Sequence, residues 1–123
     1  MKSPALISIA IGAALAAGQA SAHHSYAMFD AAQNKQLDGV VQDFKWTNPH
    51  SYIEVLVTDD KGQTQKWGVE CGSPAQMVKA GWRSSSLKPG DHVVVTIHPL
   101  RSGELGGSFV QVQTADGKVL KAS

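Results

Sequence analysis

Cysteine is almost absent: Cys71 stands alone in the chain. No intramolecular disulfide can form, so the fold must be held by its core. A lone thiol in an oxidising compartment is a liability unless it is buried. Cys71 is therefore expected to be an enclosed small hydrophobe. Charge is sparse and balanced, with 11 Lys and Arg against 10 Asp and Glu. The basic residues are scattered, which argues against nucleic acid, whose binding needs concentrated positive charge. Catalytic signatures are missing too. There is no Gly-x-Ser-x-Gly, no phosphate loop, no HExxH and no CxxC, and with them go the commonest nucleophile, nucleotide and zinc-hydrolase readings. Beyond residue 22 no apolar run is long enough to span a bilayer.

The first residues have the makings of an export signal. Lys2 gives a short positive start, Ala5–Ala17 is apolar and uncharged, and Ala20-Ser21-Ala22 places small residues where a signal peptidase reads. The apolar run is shorter than the roughly 20 residues a membrane span needs. Cleavage after Ala22 is expected, giving a periplasmic protein that starts at His23. The roughly 100 residues from His23 to Ser123 suffice for one domain and not two, with residues 23–35 as an N-terminal arm.

Alternating apolar residues mark short strands. Gln36–Trp46 is the first, with Val40, Phe44 and Trp46 assigned to one face. Thr47-Asn48-Pro49-His50 breaks it, since Asn and Pro favour a turn. Tyr52–Thr58 sets Ile53, Val55 and Val57 on one face, Asp59–Gly62 turns, and Thr64–Glu70 shares Trp67 and Val69 on a face. Ser73-Pro74-Ala75-Gln76 is a capping box with Pro at the first helical position, and Gly81 suits the helix end. Lys88–Asp91 turns into His92–His98, where Val93, Val95 and Ile97 alternate with His92, Val94, Thr96 and His98. A Gly-rich loop leads to Ser108–Thr114, with Phe109 on one face and Val110 and Val112 on alternating faces. A short last strand spans Lys118–Lys121. Three strands, a short helix, two strands and a terminal strand predict an all-β fold with one short helix, in the order of a small five-stranded OB-fold-like barrel. The mouth loops would be Thr47–Ser51 and Pro99–Gly107, and Trp82 would plug the barrel.

Ala22-His23-His24-Ser25, Phe44–Ser51 with its Asn-Pro-His loop, Trp67-Gly68-Val69-Glu70, Gly81-Trp82 and Leu87–Asp91 together resemble an uncharacterised family of small exported bacterial proteins. The resemblance covers essentially the whole mature chain. It implies export and a small barrel, and brings no activity with it.

The residues with metal chemistry gather at the start. A mature terminus at His23 offers an α-amine and an imidazole that close a chelate on one ion, and His24 adds a second ring. Such nitrogens suit Cu(II) and Zn(II), with copper favoured by the affinity order. The amine's ordinary pKa of about 7.7–8.0 lets a metal displace its proton near neutrality. His50 beside Asn48 is the third candidate ligand. His98, Glu70 and Met28 stand in reserve, Met28 as a soft donor for Cu(I). The plainer readings are a solvated His-His terminus, a turn histidine at 50, a strand-end histidine at 98 and a strand-end carboxylate at 70. His92 and His98 lie at opposite ends of one strand, too far apart to share an ion at about 3.3 Å per residue.

The leading expectation is thus a non-catalytic periplasmic metal protein, for copper or zinc, that captures, buffers or delivers its ion, with a periplasmic or inner-membrane protein as receiver. The alternative is a metal-free binding module for a peptide, glycan or partner protein, with Trp46 as stacking ring and Asn48 and Trp67 beside it. A metal-dependent enzyme with Glu70 as base ranks third. Sensitivity to chelators separates the first reading from the second.

Overall fold

The computed structural model describes residues 26–122. A 3-10 turn at Tyr26–Met28 precedes β1 (Lys35–Lys45), β2 (Tyr52–Thr58), β3 (Thr64–Glu70), α1 (Pro74–Lys79), β4 (His92–Pro99), β5 (Gly106–Thr114) and β6 (Val119–Lys121). β1 pairs antiparallel with β2 and β4, β2 with β3, and β4 with β5. A parallel pairing of β3 with β5 closes the ring. β6 lies outside it on β5. The result is the closed five-stranded barrel with one short helix that the strand order predicts. No helix among the described residues is long and apolar enough to cross a membrane.

Strict alternation fills the barrel. Ile53, Val55, Val69, Val93, Val95 and Ile97 are fully enclosed, as expected for inward positions two residues apart. The first strand departs from the expected face. Leu37 and Val41 point inward, while Val40 is 38 % exposed. The β1–β2 register shifts between Val41 and Asp43. That bulge adds one residue and reverses the parity of the strand beyond it, so Phe44 joins Val41 on the core side. A second irregularity sets Gln111 opposite Thr96 but Phe109 opposite Ile97. Val110 is the extra residue, and Phe109 and Val112 both turn inward.

Trp82 lies fully buried against Phe44 and Phe109, with ring centroids 5.7 and 5.3 Å away. Its indole N–H donates to the Lys121 carbonyl at 2.9 Å, which ties β6 to the core. Cys71 is buried, and burial pushes its thiol above the ordinary range, with the Glu70 carboxylate adding to the effect. It is thus the buried small side chain that its solitary occurrence implies.

Helix α1 begins where the capping residues stand. Ser73 Oγ accepts from the Gln76 N–H at 3.3 Å, and Gln76 Oε1 accepts from the Ser73 N–H at 3.1 Å. Gly81 takes the left-handed conformation at φ 94°. Ser73→Ala is expected to cost about 1 kcal/mol, read as a lower urea midpoint with an unchanged slope.

Candidate functional site

The closing seam places the site. In the β3–β5 pairing Glu70 stands opposite Ser108, and in the β4–β5 pairing His98 stands opposite the same Ser108. Glu70, Ser108 and His98 therefore form one row across three strands. All three line a cavity of about 580 Å³. Gly106 and Gly107 make the seam possible. A Cβ on Gly107 would lie 2.5 Å from the His98 carbonyl oxygen, and one on Gly106 2.9 Å from that of Gly68.

His50 enters the same cavity from the loop between β1 and β2. The Ser51 N–H donates to the Gly72 carbonyl at 2.9 Å, and the Cys71 N–H to the Ser51 carbonyl at 2.8 Å. These bonds bring the Asn-Pro-His loop against the end of β3. His50 Nδ1 lies 3.1 Å from the Cys71 carbonyl oxygen, and His98 Nδ1 lies 2.8 Å from that of Gln33. A carbonyl only accepts, so in each hydrogen bond Nδ1 is the protonated nitrogen. Nε2 is then the basic nitrogen of each neutral ring. A backbone carbonyl on the far nitrogen is also the usual support of a metal-ligating histidine.

His50 Nε2 stands 3.7 Å from Glu70 Oε1. That is too long for a direct hydrogen bond. Two ligands on one tetrahedral ion with bonds near 2.0–2.2 Å sit roughly 3.3–3.5 Å apart, only a few tenths of an ångström closer. The Glu70 side chain is only 13 % exposed, and an enclosed carboxylate is stable only with a counter-charge or hydrogen bonds. Among the described residues no group of three or more His, Cys, Asp or Glu side chains is close enough to hold an ion. The barrel itself presents a His–Glu pair, with His98 further along the row.

The N-terminal arm arrives here as well. Phe29 is buried and bridges Leu100. The Arg101 N–H donates to the Met28 carbonyl at 2.9 Å, and its Nε to that of Ala27 at 3.0 Å. The Asp30 N–H donates to the Pro99 carbonyl at 2.8 Å. The arm is thus strapped along the end of β4, and Tyr26 lines the cavity.

The sequence candidates divide accordingly. His50, Glu70 and His98 share the cavity. His23 and His24 lie outside the described residues. Met28 is 38 % exposed and does not line the cavity; Phe29 is the residue that anchors the arm. Trp46 packs edge-on against Phe44, 5.7 Å between centroids, and Asn48 is exposed; neither lines the cavity. Trp67 is a core ring at 9 % exposure, with the Lys35 ammonium 5.4 Å from its centroid. It borders a separate groove with Arg101 and Glu104. His92 pairs with Asp38 at 2.7 Å on the surface. Tyr26, Gln76, Lys79, Ser108 and Phe109 also line the cavity, and sequence reasoning missed them as site residues. The spacing of Gln76, Lys79 and Ala80 was the available signal, since such residues share one side of a helix.

The fold and site define a small closed β-barrel with an N-terminal arm strapped beside a partly polar cavity. Residues 12–111 match the model of a family of unknown function (DUF6152), and the chain belongs to that family. No curated protein and no solved structure matches it.

Proposed function

We propose that this protein is a periplasmic metal-binding protein, with copper the favoured ion and zinc the competitor, that captures, buffers or delivers its cargo without turnover. One observation carries the reading: Tyr26 and His50 line the same cavity. The reading requires His23 and His24 to reach His50, and no more than two residues of chain separate either of them from Tyr26. With export and cleavage after Ala22, the His23 amine and ring, the His24 ring and His50 Nε2 supply a nitrogen set of the kind Cu(II) prefers. Glu70, 3.7 Å from His50 Nε2, adds an oxygen donor and offsets the charge of the ion. His98 is the reserve ligand across Ser108. The receiver of the cargo would be a periplasmic or inner-membrane protein.

The test is a Cu(II) and Zn(II) titration of the chain that starts at His23, followed by calorimetry and by the copper EPR spectrum. One-to-one binding is expected, with copper tighter than zinc. His50→Ala is expected to weaken copper by at least the roughly tenfold loss typical of disturbing a metal site, and to remove one nitrogen from the spectrum. Equal affinity and an unchanged spectrum in His50→Ala would overturn the assignment.

A further inference from the structure

The cavity is much larger than an ion requires. At about 30 Å³ per water, an ion with two waters needs on the order of 100 Å³, against about 580 Å³ here. Its volume falls in the range of small-molecule pockets, roughly 300–1,000 Å³.

The polar groups around it differ in chemistry. His50 Nε2 and Glu70, at the end of β3 and the loop beside it, are electron-pair donors suited to a cation. The helix side carries hydrogen-bond donors. Lys79 lines the cavity, and its ammonium forms no ion pair among the described residues. Gln76 Oε1 is engaged by the Ser73 N–H, which leaves the amide NH₂ as the donating end. Ser108, on β5 opposite Glu70 and His98, adds a hydroxyl. The rest of the wall is mostly apolar and includes Phe29, Phe109 and Ala80, with His98 and Tyr26 as its other polar residues. Both phenylalanines are more than nine-tenths buried, so their rings are held in place by the core.

We infer that the helix side of this cavity binds a small aromatic carboxylate, its ring against Phe29 and Phe109 and its carboxylate at Lys79 and Gln76. The inference builds on the metal reading in one respect only: a bound ion at His50 and Glu70 would stand beside the anion and accept its second carboxylate oxygen. The contacts with Lys79, Gln76 and the two rings need no metal. Lys79 is a ligand-binding residue in this scheme, and its exposure on the surface of a short helix makes its replacement harmless to the fold.

Benzoate is the probe, titrated into chelator-treated protein starting at His23, with backbone amide shifts as the readout. The expected result is saturable shifts at Lys79, Ala80 and Phe109. Lys79→Gln is expected to weaken benzoate roughly fivefold, the scale of a lost charge-assisted hydrogen bond. Benzyl alcohol, the uncharged analogue, should bind wild type and Lys79→Gln alike. Absence of saturable shifts, or equal binding of benzoate and benzyl alcohol to wild type, overturns the inference. Copper titration of the same sample separates the two readings. Copper binding without a benzoate response overturns this inference and leaves the metal site standing. A benzoate response without copper binding does the reverse.

Discussion

Gly107→Ala is expected to destabilise the barrel by about 3 kcal/mol, at the upper end of the usual cost of overpacking. The new methyl would stand 2.5 Å from the His98 carbonyl oxygen, 2.7 Å from Ile97 Cδ1 and 3.1 Å from the His98 carbonyl carbon. Two of these are backbone atoms of β4, which cannot swing aside as a side-chain tip does. Gly107 has no positive φ, so the penalty is one of space alone. The strand has to retreat from β4, which also disturbs its parallel pairing with Val69 on β3. Gly68 provides the control. It lies across the same seam, opposite Gly106, yet a Cβ there meets nothing within 4 Å. Gly68→Ala should therefore stabilise by roughly 0.5–1 kcal/mol, because alanine has less unfolded-state freedom to lose. Urea unfolding of the two variants should move the midpoint in opposite directions. Equal shifts would show that the seam tolerates a methyl and that its glycines have another purpose.

The same contrast reaches the site, because Ser108 follows Gly107 and stands opposite both Glu70 and His98. A retreat of the strand pulls that row apart. Gly107→Ala, at temperatures where it remains folded, should bind metal more weakly than wild type, while Gly68→Ala should not differ from it.

This seam marks the boundary of what the sequence shows. The second and third strands are legible to the residue, because both alternate strictly and end at recognisable turns. Helix α1 is equally plain, since Ser73, Pro74 and Gln76 carry its start. The first strand is legible in place but not in face, because a bulge between Val41 and Asp43 leaves no mark in a pattern read two residues at a time. The fifth strand begins at Gly106, two residues before the apolar signal does, because those glycines serve the close approach of neighbouring chains and not propensity. The site shows the same division. His50, Glu70 and His98 each stand out as metal-capable residues. Their common cavity depends on a parallel pairing between residues 68–70 and 106–108, a contact across the sequence that no local pattern reports. Lys79 and Gln76 read locally as ordinary helix residues, one at the last turn and one in the cap. Only the placement of α1 beside the row turns them toward the cavity. Trp46 and Trp67 drew attention as aromatic residues, yet the barrel uses both chiefly for packing, which aromatic content alone does not distinguish from binding.

The largest effect on metal affinity is expected from a change that alters no side chain. Acetylating the His23 amine should weaken copper by at least roughly 100-fold, the upper end of what disturbing a metal site costs. If processing leaves His23 first, the terminal amine and the His23 imidazole would bind one ion together as a chelate. Acetylation converts that amine into an amide nitrogen, which carries no basic lone pair at neutral pH, and leaves no terminal amine to anchor the ion. The His23 ring remains, but as a single donor on a chain end. His24 and His50 also remain, so binding should weaken without vanishing, and the copper spectrum should lose the amine nitrogen while keeping the imidazoles. The acetylated His50→Ala protein tests whether arm and barrel grip the same ion. Should they share it, the losses from acetylation and from His50→Ala will be non-additive, as expected for groups in one network. Additive losses, or a second equivalent of copper on the wild-type chain, would mean two separate weak sites. The barrel residues would then need another role, and the strap of Arg101 on Ala27 and Met28 would serve only to close the end of the barrel.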